Sequence, residues 1–166
     1  MINDKLINPD SIVVVGGSDD LFKPGGKILK NIIDGKFRGS LYVVNPKQDL
    51  VQGVKSYRDL KDIPQTDLAI LAIQAKYCLQ NVELLVKEKN TKAFIIISAG
   101  FSEAGEEGKK LENDIAAMIN SVNGSLIGPN CIGVISPYYN GIFTSPVPRL
   151  SKMGCDFVSG SGATAV

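Results

Sequence analysis

Ser11-Ile12-Val13-Val14-Val15-Gly16-Gly17-Ser18-Asp19-Asp20 decides how this chain of 166 residues folds. An unbroken β-branched run that stops at a glycine turn is the pattern of a strand buried on both faces of a sheet. Working outward, Pro24-Gly25-Gly26 opens a segment with Ile28, Leu29, Ile32 and Ile33 on one side and Lys27, Lys30 and Asn31 on the other. That spacing predicts a helix, and Gly35 is placed to end it. Leu41-Tyr42-Val43-Val44, broken by Asn45-Pro46, predicts a second strand, so strand, helix and strand already compose a βαβ unit.

The alternation continues. Asp67 to Ile73 reads as a third strand, and Cys78, Val82, Leu85 and Val86 then share one helical face. Lys92 to Ser98 reads as a fourth strand. Ser102 is expected to cap a helix with Glu106 and Glu107 in its first turn and Leu111, Ile115, Met118, Ile119 and Val122 as its apolar stripe. Leu126-Ile127, before Gly128-Pro129-Asn130, is a short fifth strand. Parallel neighbours need crossovers that cover the sheet, so the class is α/β: a doubly wound parallel sheet with helices on both faces, over residues 1–135. Residues 136–153 are rich in proline and tyrosine, show neither periodicity, and read as an irregular linker. Residues 154–166 resemble a new strand and glycine turn, so the chain is expected to be cut from a longer protein whose next domain starts near Cys155.

Hydrophobic residues make up 44% and charged residues 21%, which excludes disordered, collagenous and disulfide-framework classes. Eighteen basic against seventeen acidic side chains give a net charge of +1, so no electrostatic case exists for a nucleic-acid or membrane partner. The chain has no histidine, hence no imidazole base, phosphohistidine or His-liganded metal of its own. Cys78, Cys131 and Cys155 are odd in number and far apart, and read as reduced thiols. Without a secretory signal or a run of ~20 apolar residues, the cytoplasm is expected.

In an open parallel sheet, ligands bind past the carboxyl ends of the strands where strand order reverses. The residues there are Gly17, Ser18 and Asp19; Asn45, Pro46 and Lys47; Ile73 and Gln74; Ser98, Ala99 and Gly100; and Asn130. A dinucleotide fingerprint G-x-G-x-x-G fails, because Ser18 and Leu21 stand where it needs glycine. No acid follows Val44 to accept bonds from a ribose diol. Lys47 stands there instead, favouring a phosphorylated ribose as in NADP or coenzyme A; the alternative is an ordinary solvated lysine. Phe101 either covers an adenine or pantetheine arm or folds back into the core. Cys131 has no histidine to activate it and reads as an inert thiol, while Glu103, Glu106 and Glu107 suit a helix dipole better than catalysis.

Four blocks in one order carry a family resemblance: Ser11 to Ser18, Val43-Val44-Asn45-Pro46-Lys47, Ile97-Ser98-Ala99-Gly100-Phe101-Ser102-Glu103-Ala104-Gly105-Glu106-Glu107-Gly108, and Gly128-Pro129-Asn130-Cys131-Ile132-Gly133. The chain resembles the CoA-binding domain of NDP-forming acyl-CoA synthetases, which include ADP-forming acetate:CoA ligases and are relatives of the succinyl-CoA synthetase alpha subunit. The resemblance implies a Rossmann-like domain, then a flavodoxin-like domain bearing a phosphorylated histidine, and an ATP-grasp part that binds ATP or another NTP. Phe157-Val158-Ser159-Gly160-Ser161-Gly162 looks like the start of that second domain, with Gly160 where the family commonly has glutamine. Carried over, Gly17, Ser18 and Asp19 line the CoA phosphates, Lys47 the ribose phosphate, Ile73 and Gln74 the middle, Ser98, Ala99 and Gly100 the pantetheine path, and Asn130 the thiol end. The chain alone is then expected to bind CoA and catalyse nothing, within a parent that is a ligase. An NAD(P)-binding oxidoreductase or redox sensor is the alternative, followed by a stand-alone CoA-binding module and a ligase-like protein fused to an acetyltransferase.

Overall fold

A computed structural model describes residues 2–148. The expected second-domain start at 154–166, with Cys155 and the Ser159-Gly160-Ser161-Gly162 turn, lies outside the described residues. In chain order the elements are α1 (Asp4–Ile7), β1 (Ser11–Val15), α2 (Pro24–Asp34), β2 (Ser40–Val44), β3 (Leu50–Val51), β4 (Val54–Tyr57), β5 (Leu68–Leu71), α3 (Cys78–Lys89), β6 (Ala93–Ile96), α4 (Glu106–Ser121), β7 (Ser125–Ile127), β8 (Gly133–Ile135) and β9 (Asn140–Ile142).

Seven strands form one sheet in the order β3-β4-β2-β1-β5-β6-β7, parallel throughout except where β3 runs antiparallel to β4. β1 is central, with Val14 opposite Val43 of β2 on one side and Ile70 of β5 on the other. The period-two alternation of the strands explains the double winding. Val13 and Val15, Ala69 and Leu71, and Phe94 and Ile96 pack with Cys78, Val82, Leu85, Ile115 and Ile119 of α3 and α4. Ile12 and Val14, Leu68 and Ile70, and Ala93 and Ile95 pack on the other face with Ile28, Leu29 and Ile32 of α2. β1, β5 and β6 therefore bury both faces, and no polar alternation shows in their sequences. This is the doubly wound, Rossmann-like α/β sheet expected from the sequence.

One element was not read from the sequence, and two local expectations need correction. Between β2 and β5 the chain makes a hairpin, β3-β4, whose two turn residues Gln52 and Gly53 both have positive φ, +49° and +79°. Such a turn matches strand twist, but Gln-Gly is a weaker signal for it than Asn-Gly, and β3 has only two residues. Ser102 does not cap α4: it starts a 3-10 turn, Ser102–Ala104, and Gly105 is the N-cap, with Glu106 and Glu107 in the first turn as read. The stretch after Ser136 is not irregular throughout, because β8 and β9 pair as an antiparallel ribbon. Tyr139, 2% exposed, anchors that ribbon to the face of α2 and donates a 2.7 Å hydrogen bond from its hydroxyl to the Leu6 carbonyl.

Candidate functional site

The chain leaves β1 for α2 on one face and leaves β5 for α3 on the other, so the loops after these adjacent strands part and open a crevice. Glycine makes this junction possible. A side chain on Gly25 would place its Cβ 2.1 Å from the Gly16 carbonyl oxygen, so only glycine lets the first turn of α2 approach the end of β1. Gly16 itself has φ +88° and lies against the Ala72 carbonyl at the end of β5. The separated pair Gly16 and Gly25 thus serves the close strand-to-helix approach that the broken fingerprint did not reveal.

Hydrogen bonds join the loops side by side along the carboxyl edge. Asn45 donates from Nδ2 to the Gly17 carbonyl at 2.8 Å, the Ser98 hydroxyl donates to the Ile73 carbonyl, and Asn130 N–H donates to the Ser98 carbonyl at 3.0 Å. Within the first loop, the N–H groups of Gly17, Ser18 and Asp19 have no protein acceptor among the described residues. Three consecutive N–H groups without a protein acceptor, in the loop that leads to the N-terminus of an eleven-residue helix, are donors of the kind an anion takes, and this stretch is the candidate cradle.

Next to these donors lies a cleft of about 400 Å³, lined by Val44 at the end of β2, Gly16 and Pro46 just after β1 and β2, Arg58 and Leu60 after β4, and Ile73, Tyr77 and Leu84 on the α3 side. Its walls are mostly apolar, as a flat ring or a hydrocarbon arm requires. Arg58 sits at the rim in a bidentate pair with Asp49, at 2.7 and 3.0 Å. That pairing holds the Asp49 carboxyl below the usual carboxylate range, first through the hydrogen bond from Arg58.

Of the sequence-derived residues, Pro46 and Ile73 line the cleft, and Gly17 and Ser18 flank it through the cradle. Asp19 is exposed, and its two carboxylate oxygens accept from Gln52 N–H at 2.7 Å and Gln48 Nε2 at 2.6 Å. Its backbone N–H, not its side chain, is the group left for a ligand. Lys47 is exposed and in no ion pair among the described residues, while its own N–H donates to Asn45 Oδ1 at 2.9 Å. Gln74, Ala99, Gly100 and Asn130 lie exposed along the same edge. Gly100, φ +106°, donates to Glu103 Oε1 at 2.6 Å, which holds the Glu103 carboxyl below its ordinary range.

Phe101 is fully buried in the core with α3 and α4, which removes it as a cover for an adenine or pantetheine arm. Cys131 is part-buried against the Ile96 carbonyl, and burial pushes its thiol up, as it pushes Cys78 up to about 12. Neither is a thiolate near neutral pH, as the inert reading requires. Arg58, Tyr77, Gln48 and Gln52 join the site through the hairpin and α3, elements whose side-chain directions a linear sequence does not display.

A family model described as a CoA binding domain matches residues 10–137. The chain belongs to this family. The alpha subunit of ADP-forming acetate–CoA ligase II from Pyrococcus furiosus is 37% identical over 161 residues, covering 96% of this chain and 35% of that subunit. An ADP-forming 4-hydroxybutyrate–CoA ligase from Nitrosopumilus maritimus is 35% identical, over 98% of this chain and 24% of its own length. Among solved structures, the dinucleotide-forming acetyl-coenzyme A synthetase 1 of Ca. Korarchaeum cryptofilum superposes with a TM-score of 0.79 at 30% identity, over 97% of this chain and 34% of that one. This CoA-binding domain therefore spans about a third or less of the curated ligases it matches. Among the described residues no helix is long and apolar enough to cross a membrane.

Proposed function

We propose that this domain holds coenzyme A for an NDP-forming acyl-CoA synthetase. The parent reaction is the reversible conversion of acid, CoA and NTP to acyl-CoA, NDP and phosphate. Its acyl-phosphate and phosphohistidine steps, and an ATP-grasp part for the nucleotide, belong to partner domains or a partner subunit, since residues 1–166 contain no histidine. Supporting this reading are the three N–H groups without an acceptor after β1, next to an apolar cleft, with the exposed Lys47 in the neighbouring loop after β2. The pyrophosphate of CoA suits the cradle, where backbone donors and a helix N-terminus supply positive potential without a charged side chain. The ribose phosphate falls to Lys47, and the pantetheine arm runs past Ile73 and Gln74 toward Ser98, Ala99, Gly100 and Asn130.

Calorimetric titration with CoA, dephospho-CoA, NAD and NADP in parallel tests it. CoA is expected to bind, and dephospho-CoA to bind about two- to fivefold more weakly, the range of one solvent-accessible charge pair. Lys47→Ala should erase that difference. Binding of NAD or NADP without CoA would return the site to an oxidoreductase or redox sensor.

A further inference from the structure

The turn of the β3-β4 hairpin reaches back to the cradle through one side chain. Gln52 N–H donates to Asp19 Oδ1 at 2.7 Å, and its Nε2 donates to the Ser18 carbonyl at 2.7 Å and the Gly26 carbonyl at 2.9 Å. Both of these acceptors are carbonyls, which fixes the orientation of the amide. Gln52 Oε1 is left buried without a hydrogen-bond partner, a cost that an outward-pointing turn residue avoids. The backbone at Gln52 is left-handed besides, φ +49°, a conformation uncommon for a residue other than glycine.

We propose that Gln52 is a positioning residue that aims the phosphate-binding loop; the proposal rests on the CoA reading of the site. A trans peptide is planar, with its C=O and N–H pointing in opposite directions. Drawing the Ser18 carbonyl toward Gln52 therefore turns the Asp19 N–H away from the hairpin. Asn45, bonded to the Gly17 carbonyl, turns the Ser18 N–H away from the loop after β2 in the same manner. Capture of Asp19 by Gln52 and Gln48 also keeps a carboxylate from turning onto an incoming anion. The bond to Gly26 ties this arrangement to the first turn of α2. The hairpin thereby acts on a ligand without touching it.

Gln52→Glu sets a carboxylate oxygen against two carbonyls, and Gln52→Ala, the milder variant, removes the donor. Each is titrated with CoA and dephospho-CoA, and amide exchange is followed by NMR. The glutamate variant should weaken both ligands by about tenfold or more and the alanine variant by about threefold, by loss of preorganised donors. The ratio between the two ligands should stay unchanged, unlike in Lys47→Ala. Amides of Asp20 and Gly26 should exchange faster while those of Ile70 and Ile95 keep their protection. Folded variants that bind both ligands like wild type, or a loss confined to CoA, overturn the proposal. If wild type binds no CoA, the preceding reading falls, and exchange alone decides: accelerated loop exchange upholds the positioning role and unchanged exchange overturns it.

Discussion

A methyl group on Gly25 would have to displace the backbone of Gly16, because its Cβ would fall 2.1 Å from that carbonyl oxygen. Gly25→Ala is therefore expected to destabilise the domain by about 1–3 kcal/mol, the usual cost of overpacking against an element that cannot yield. Urea denaturation measures this, and a variant as stable as wild type would show that α2 can slide. At this scale the sequence was legible wherever a residue's role is local: the β1 run, the turn at Gly16-Gly17, the core positions of α2. It was illegible where a role depends on a distant partner. Nothing in Gln52 announces a bond to Ser18, and nothing in Asp19 shows that its carboxylate is taken. Phe101 was open between ligand and core, and packing alone put it in the core.

The β8-β9 ribbon covers the sheet on the face of α2, and its hold is concentrated in Tyr139. Tyr139→Phe keeps the ring and strands the Leu6 carbonyl, a loss of about 1–2 kcal/mol, whereas Tyr139→Ala should cost about 3–5 kcal/mol through the cavity it leaves. Equal stabilities for the three proteins would mean that the ribbon contributes nothing to the core. Burial of the Tyr139 hydroxyl raises its pKa, so it remains a donor across the neutral range. The turn after β6 gives a pH signature. Glu103 titrates below its ordinary value of 4.5 because Gly100 N–H bonds its carboxylate. The sign follows: a depressed folded pKa stabilises above the unfolded value, and that contribution disappears as pH falls through the folded one. Glu103→Gln should accordingly lose less thermal stability than wild type on acidification below pH 4.5, as followed by melting curves. The helices and long strands were readable because periodicity accumulates over many residues. β3, β8 and β9, two or three residues each, are too short for that, and neighbouring elements decide them.

On the scale of the whole molecule, the candidate ligand groups and the ion pairs of α1 lie at opposite edges of the sheet. At the amino ends of the strands, Lys5 pairs with Asp10 and Asp67 and ties α1 to β1 and β5. At the carboxyl ends lie the free N–H groups, the apolar cleft and Lys47. A polar crevice between the end of α2 and the ribbon, lined by Asp34, Ser136 and Asn140 among others, is the competing place for a ligand. The two-dimensional amide NMR spectrum of the domain, recorded with and without saturating CoA, tests the central claim most directly. Shifts should concentrate at Gly17, Ser18 and Asp19, at Ile73 and Gln74, and at Ala99, Gly100 and Asn130, leaving Lys5, Asp10 and Asp67 unmoved. Shifts confined to Asp34, Ser136 and Asn140, or to the amino edge, would contradict the account.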